Sequence, residues 1–116
     1  MRLTIFTKKC ETESMDELAT QSNDLYKNSK NIADKLQLFA NGNRLRILCH
    51  LASGPLSVNE MVECLDLSQS AISQHLAKLK DSRIVSYKKD AQTSYYYIQD
   101  EETFLLMSNL HKTFCP

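Results

Sequence analysis

The sequence predicts a mainly α-helical fold with one β-hairpin near its C-terminal end. Apolar residues recur at helical spacing along most of the chain, the pattern of amphipathic helices. Two runs of strand-preferring residues, 84–88 and 94–98, flank a polar turn at 89–93 and are typical of a hairpin. Only two glycines and two prolines occur among 116 residues, which disfavours a loop-rich fold. The predicted order is five helices, two strands and a last helix (ααααα-ββ-α).

The chain is long enough for one domain, expected to span residues 14–116. Residues 1–13 show no sustained hydrophobic period and are expected to form a mobile arm. The first helix is predicted to begin at Ser14, whose hydroxyl can cap it, and to end near Tyr26. Glu17 occupies the capping-box position of this helix.

Two further helices are predicted before the most informative part of the chain. An apolar stripe over residues 32–40 ends at the Asn41-Gly42-Asn43 break. The next helix is expected at about residues 44–52. It ends before Gly54 and Pro55, because glycine commonly stops a helix and proline cannot continue one.

The following residues predict a helix-turn-helix. Helices are expected at about 57–65 and 68–81, and Asp66-Leu67 between them leaves room only for a tight turn. Ser68 can cap the second helix. One side of that helix is apolar, and the other carries hydroxyl and amide side chains suited to base edges in a major groove. Two helices joined by a tight turn and followed in the sequence by a hairpin are the pattern of a winged helix-turn-helix. The alternative is an ordinary amphipathic helix pair in a small bundle.

The predicted DNA-binding residues lie on the second of these helices and on the hairpin. They are Ser68, Gln69, Ser70, Ser73, Gln74, His75, Lys78, Lys88 and Lys89. The net charge is zero, but residues 68–98 hold five cationic and two anionic side chains. Because phosphate binding needs only a local cationic patch, a neutral chain is compatible with DNA binding. The patch is modest, so two copies are expected to bind together.

The last helix, about 101–113, is apolar on two adjoining faces, which is too wide for a helix that covers a single layer. Buried contact with a second copy of the chain is the simplest reason, and a homodimer is predicted. No apolar run reaches the roughly 18 residues of a membrane span, and the N-terminus lacks the apolar segment of a signal peptide. The expected location is the cytoplasm.

The sequence disfavours an enzyme. It contains no Ser/His/Asp constellation, no glycine-rich phosphate loop and no paired-carboxylate signature. His50, His75 and His111 lie on three separate predicted helices. The four cysteines form no Cys-x-x-Cys pair, which excludes zinc-ribbon and thioredoxin-like sites. No cofactor is expected. A small enzyme or an adaptor that does not bind DNA remains a poorly supported alternative.

Three segments resemble the ArsR-type (ArsR/SmtB) repressors. Residues 41–48 are similar to the Asp-Pro-x-Arg-Leu-x-Ile-Leu motif of this family, residues 67–79 to its recognition helix, and residues 96–98 to the end of its wing. The resemblance covers about residues 30–115. It implies a homodimeric winged-helix repressor with dimer contacts from its first and last helices. Such proteins bind double-stranded operator DNA, expected here to be an inverted repeat, and release it when an inducer binds.

The chain departs from the family pattern at two kinds of position. Arg83 replaces the usual glycine after the recognition helix, so that helix either adopts a strained left-handed end or ends differently. Ala91 and Gln92 stand where the wing often has glycine.

The metal-binding positions of the family also differ in this chain. Ser57-Val58-Asn59 stands where arsenic and cadmium sensors place Cys-x-Cys. Only Asp100, Glu102 and His111 are available where zinc sensors place ligands along the last helix. No metal site is predicted, because ligands at supporting spacing are missing.

Two cysteines resemble the sensing pair of the BigR-like and HlyU-like branch of the family. They are Cys49, within Ile-Leu-Cys-His-Leu, and Cys115 at the chain end. The resemblance implies that sulfide, persulfide or oxidants link the two sulfurs directly or through a sulfur bridge. Arg46 near Cys49, and His111 and Lys112 near Cys115, could favour the thiolates, whereas the helix C-termini oppose them.

The other cysteine interpretations stay open at this point. Cys49 could be a small core residue and Cys115 part of a frayed tail. Cys64 lies beside Leu65, off the apolar stripe of its helix, and is assigned a structural role. Cys10 lies on the predicted arm as a bystander or an auxiliary thiol.

The favoured function is a transcriptional repressor whose operator affinity changes when Cys49 and Cys115 become linked, with a reactive sulfur species or oxidant as inducer. The alternative is a metal sensor, or a constitutive DNA-binding regulator that displaces other regulators, without thiol switching.

Overall fold

The structure is a computed structural model that describes the backbone of residues 15–115 and the side chains of residues 24–115. The arm at 1–13, the Ser14 cap and Cys10 lie outside these residues. The chain divides into two compact units, one ending at Gln37 and the other beginning at Leu38. The elements are α1 (Met15–Phe39), α2 (Gly42–Leu51), β1 (Leu56–Ser57), α3 (Val58–Leu65), α4 (Gln69–Asp81), β2 (Val85–Asp90), β3 (Thr93–Ile98) and α5 (Glu101–Phe114).

Helix α1 corrects one part of the predicted order. The sequence predicts two helices, 14–26 and 32–40, whereas the structure has one continuous helix of 25 residues. The polar segment between them contains neither glycine nor proline, so nothing in it stops a helix. The Asn28 amide donates a hydrogen bond to the carbonyl of Asp24 (2.9 Å), and the Ser29 hydroxyl donates to that of Tyr26 (2.7 Å). In the described part of the chain, four helices rather than five precede the hairpin.

The unit beginning at Leu38 is a winged helix-turn-helix around one hydrophobic core. The last residues of α1, helices α2, α3 and α4, the hairpin and α5 all contribute to this core. Its buried residues are Phe39, Ile47, Leu48, Leu51, Met61, Leu65, Ile72, Leu76, Leu79, Ile84, Val85 and Met107. The predicted fold class, mainly α with a β-hairpin wing, is confirmed.

The hairpin belongs to a three-stranded antiparallel sheet of order β1-β3-β2. Strands β2 and β3 pair over six residues each, with Val85 opposite Ile98 and Tyr87 opposite Tyr96. The two-residue strand β1, absent from the sequence prediction, pairs Leu56 with Tyr96. The sheet thereby ties the start of α3 to the wing.

Local chemistry sets the helix ends. The Asn41 side chain accepts the N–H groups of Asn43 and Arg44 at the start of α2 (3.1 Å each). Ser57 and Glu60 form a full capping box at the start of α3. Ser68 caps α4 as predicted, because its hydroxyl accepts the N–H of Ala71 (3.1 Å).

Of the two ends expected for α4, a strained left-handed one or a different one, the structure has the left-handed end. Arg83 has φ = +62°, and Ala91, in the two-residue turn of the wing, has φ = +58°. Both are values at which glycine is normally preferred. No helix in the described part of the chain is long and apolar enough to cross a membrane.

Candidate functional site

Helix α4 presents a polar face to solvent. Ile72, Leu76 and Leu79 lie fully inside the core, which orients the opposite side of the helix outwards. Six of the predicted DNA-binding residues are exposed there: Ser68, Gln69, Ser70, Ser73, Gln74 and Lys78. Hydroxyl and amide groups at the N-terminal end of an exposed helix can enter a major groove and hydrogen-bond base edges.

His75 is half-buried at the edge of this face. Partial desolvation lowers the pKa of its imidazole, and the nearby cations Arg44 and Lys78 lower it further. The Arg44 guanidinium is held in place, since its Nε donates to the carbonyl of Leu38 (2.7 Å). Arg44 and Lys78 form a positive region beside His75 that suits a phosphate. Sequence reasoning missed Arg44 as part of this region, although it lies in the motif at 41–48.

The wing carries the remaining predicted contacts. Lys88 and Lys89 are exposed near the end of β2, where Asp90 separates them from the turn. The Lys88 ammonium lies 5.7 Å from the centroid of the Tyr97 ring, and that of Lys80 lies 4.6 Å from the centroid of Tyr87. These cation–π contacts orient two positive charges along the hairpin.

The second candidate site is the thiol pair. Cys49 on α2 and Cys115 just after α5 are both exposed and not in a disulfide. Cys49 opens onto a cleft of about 270 Å³ between α2 and α5. The residues that line it are Cys49, Ala52, Ser53, Met107, Ser108, His111 and Lys112. Exposure excludes the interpretation of Cys49 as a core residue.

The electrostatics of Cys49 differ from the sequence prediction. Its pKa is raised, first because the cleft walls desolvate part of the thiol and second because of the charge on Cys115. The expectation that Arg46 favours the Cys49 thiolate is therefore wrong. The Arg46 guanidinium instead donates a hydrogen bond to the carbonyl of Leu65 at the end of α3 (2.8 Å). The cleft that Cys49 lines also contacts His111 and Lys112, in the last turn of the helix that Cys115 follows.

Cys64 is exposed on α3, whose buried residues are Met61 and Leu65. The structural role assigned to Cys64 is thus wrong, because its side chain lies outside the core.

In the described residues, no group of three or more His, Cys, Asp or Glu side chains could hold a metal ion. Two of the positions considered for metals have local structural partners. Ser57 belongs to the capping box of α3, and Asp100 caps α5 by accepting the N–H and the hydroxyl of Thr103.

Comparison with known proteins agrees with this geometry. Residues 41–87 match the family model "Bacterial regulatory protein, arsR family". The chain is 41% identical to the transcriptional activator HlyU of Vibrio cholerae, over 79% of this chain and 85% of that protein. The structure resembles the crystal structure of HlyU from Vibrio vulnificus, with a TM-score of 0.76 and 42% identity over 82% of this chain and 99% of that one.

A third similar protein is the transcriptional repressor BigR from Xylella fastidiosa. Its crystal structure matches with a TM-score of 0.73 and 26% identity, over 81% of this chain and 93% of that chain. The region matched by the family model, 41–87, runs from the cap of α2 through α4 into the first strand of the wing. It therefore contains the whole exposed face of α4 and also Cys49.

Proposed function

Because this chain belongs to the arsR family of bacterial regulatory proteins, we propose that it is a repressor whose operator affinity falls when Cys49 and Cys115 become linked. The chain is a DNA-binding transcriptional regulator rather than an enzyme. One observation carries the thiol part of the proposal. Cys49 lines a cleft together with His111 and Lys112, which lie in the last turn of the helix that ends at Cys115, and the charge on Cys115 contributes to the raised pKa of Cys49.

Packing supports a route from the thiols to the DNA-reading face. On its buried side α2 contributes Ile47 and Leu48 to the core that also holds Ile72 of α4 and Met107 of α5. A covalent bond between Cys49 and Cys115 ties the end of α5 to α2, and so biases how α5 sits on that core. A coupling of about 1–3 kcal/mol between linking and DNA binding changes affinity by about 5- to 150-fold.

The linking reaction balances with a persulfide as co-reactant. The Cys49 thiolate attacks the outer sulfur of a donor R–S–SH, and the donor S–S bond breaks. RSH is released, and Cys49 becomes a persulfide. The Cys115 thiolate then attacks Sγ of Cys49 and displaces hydrogen sulfide, which leaves a disulfide. The two thiols are oxidised and the transferred sulfur is reduced. If both cysteines first become persulfides, the outer sulfur of the Cys115 persulfide attacks Sγ of Cys49 and displaces hydrogen sulfide, which leaves a trisulfide.

The DNA part of the proposal assigns roles to individual side chains. Ser70, Ser73 and Gln74 read base edges, while Lys78 and Lys89 contact phosphates. Of the other predicted contacts, Ser68 and Gln69 are exposed at the start of α4, His75 lies at the edge of its polar face, and Lys88 is exposed on the wing. The DNA is a double-stranded operator with an inverted repeat, because a two-fold symmetric dimer reads two half-sites.

Exposed apolar residues support a homodimer. On α5, Phe104 is 44% and Leu105 56% exposed. On α1, Leu25 and Leu36 are 62% and 49% exposed. Large apolar side chains grouped on exposed helix faces are typical of protein–protein contact.

Fluorescence anisotropy on operator DNA, before and after addition of polysulfide, tests the proposal. Wild type and Cys64→Ser are expected to bind and then release the DNA, and dithiothreitol is expected to restore binding. Cys49→Ser and Cys115→Ser are expected to bind when reduced but to remain bound after treatment. Normal release by Cys49→Ser would contradict the proposed mechanism. Mass spectrometry of the released protein separates a disulfide, which lacks two hydrogens, from a trisulfide, which has one more sulfur atom.

The raised pKa of Cys49 favours a second candidate, a constitutive regulator without thiol switching. A raised pKa reduces the thiolate fraction at neutral pH and so slows reaction with an electrophile. If neither polysulfide nor hydrogen peroxide releases wild-type protein, this second function replaces the first.

A further inference from the structure

The cleft beside Cys49 is large enough to admit a ligand of a few heavy atoms. Its volume of about 270 Å³ exceeds the roughly 30 Å³ share of a single water molecule several-fold. Helix α2 supplies the reactive thiol, and α5 supplies the opposite wall. None of the residues that line the cleft carries a negative charge other than the thiolate itself.

The thiol in this cleft faces an electrostatic obstacle. Cys49 reacts as its thiolate, yet both desolvation and the neighbouring Cys115 raise its pKa. A donor that is itself an anion would meet one or two negative sulfurs at close range. At a separation of about 4 Å, repulsion between two unit negative charges costs about 1 kcal/mol even at the dielectric constant of water.

The opposite wall offsets this repulsion. Lys112, whose side chain ends in an ammonium group, and His111, whose imidazole can donate a hydrogen bond, both line the cleft. The remaining surface is partly apolar and includes Ala52 and the buried Met107, whose thioether is polarizable. A cationic end next to an apolar, polarizable wall suits a ligand made of a sulfur chain with a negative end.

We propose that the cleft between α2 and α5 binds the anionic form of a persulfide or hydropolysulfide, with Lys112 and His111 as its polar contacts. This inference rests on the proposed function and adds selectivity to it: Cys49 receives anionic sulfur donors faster than neutral reagents of equal reactivity. Lys112 acts as a positioning residue, because it holds the donor and does not exchange bonds with it.

Two disulfide reagents, one anionic and one neutral, test the selectivity. Dithiobis(nitrobenzoate) is a dianion and dipyridyl disulfide is neutral, and both release a coloured thiol when Cys49 attacks them. The protein carries Cys10→Ser, Cys64→Ser and Cys115→Ser, so that Cys49 is the one thiol left. Second-order rate constants are measured for this protein and for versions with Lys112→Gln, His111→Gln or Lys80→Gln. Lys80 lies on α4 against Tyr87, away from the cleft lining, and controls for the change in net charge.

We expect Lys112→Gln to slow the dianionic reagent by about 3- to 10-fold, the effect of losing one positive charge several ångströms from a dianion in water. We expect the rate constant with the neutral reagent to change by less than about twofold. Added salt should reduce the difference between the effects of Lys112→Gln on the two reagents, because salt screens the charge. His111→Gln should give a smaller loss in the same direction. Lys80→Gln should resemble the parent with both reagents.

Equal slowing of both reagents by Lys112→Gln would overturn the proposal, because it would mean that Lys112 acts on the thiolate fraction and not on the donor. No slowing with either reagent would also overturn it. These rates do not depend on operator release, so they separate this inference from the proposed function. In the otherwise native chain, Lys112→Gln should release operator DNA more slowly with polysulfide but reach the same final extent.

Discussion

Replacing Arg83 by glycine should stabilise the protein, because the end of α4 holds a side chain where glycine is favoured. The N–H of Arg83 donates to the carbonyl of Lys80, and the N–H of Ile84 donates to that of Leu79 (2.9 Å each). This pair of bonds is a Schellman motif, and the buried side chains of Leu79 and Ile84 supply its hydrophobic contact. The motif requires a left-handed residue after the C-cap, and Arg83 adopts φ = +62° to provide it.

The size of the effect follows from two opposing contributions. Left-handed backbone costs a residue with a side chain about 1–2 kcal/mol, and glycine removes this cost. Glycine also adds conformational freedom to the unfolded chain, which lowers stability by about 0.4–1 kcal/mol. Arg83→Gly should therefore raise the free energy of unfolding by roughly 0–1.6 kcal/mol. The bond that the Arg83 carbonyl accepts from the Gln99 amide (3.0 Å) involves only backbone of residue 83 and is retained.

Ser82→Gly is the matched control. Ser82 is the preceding exposed residue and has φ = −86°, so glycine there brings only the entropic loss. The two variants should differ by the full left-handed cost of about 1–2 kcal/mol in urea unfolding followed by circular dichroism. If Arg83→Gly and Ser82→Gly lower stability equally, position 83 holds no strain and the account of this helix end is wrong.

Three further predictions concern DNA, the dimer and the thiol. In anisotropy titrations, Gln74→Ala should lose about 1–3 kcal/mol of discrimination against operator variants. Lys89→Ala should lower the affinity for all DNA sequences alike and reduce its salt dependence. Unchanged operator preference for Gln74→Ala would refute the base-reading role. Leu105→Glu should shift sedimentation from a dimer toward the single chain, and a wild type that sediments as a single chain would refute the dimer. The alkylation rate of Cys49 should rise with pH to a midpoint above that of an ordinary thiol, because its pKa is raised. Cys115→Ser should lower this midpoint part of the way, since desolvation remains, and an unchanged midpoint would show that the thiols are not near each other.

Most of the fold could be predicted because its signals are local. The cap at Ser68 and the glycine and proline after α2 act within one helical turn, so spacing alone places these helix ends. The prediction of two helices in place of α1 was wrong because the apolar spacing stops in the polar segment, although that segment can continue a helix. Strand β1 could not be predicted, since two residues carry no periodicity and the pairing of Leu56 with Tyr96 joins distant parts of the chain.

The two candidate sites differ in how much of each could be predicted from the sequence. The polar face of α4 follows from helical period, because burial of Ile72 and Leu76 fixes which side faces out. The thiol pair followed only from resemblance, since no spacing rule brings Cys49 to Cys115. The electrostatics were mispredicted at Arg46 because sequence proximity to Cys49 ignored a tertiary partner, the carbonyl of Leu65. A long side chain contacts whatever acceptor the fold supplies, and that acceptor is not visible in the sequence.

If linking Cys49 to Cys115 weakens operator binding, operator DNA must oppose the linking by the same factor, because coupling between two equilibria is reciprocal. DNA would then stabilise the reduced dithiol and raise its reduction potential. A coupling of about 1–3 kcal/mol corresponds to about 20–60 mV for a two-electron couple. Redox titration in glutathione buffers, with the linked fraction read by mass spectrometry, should show this shift with operator DNA and not with DNA of unrelated sequence at moderate salt. Cys64→Ser should show the same shift as wild type. If operator DNA leaves the potential unchanged while polysulfide still releases the protein, release comes from another modification and the link between Cys49 and Cys115 is not the switch.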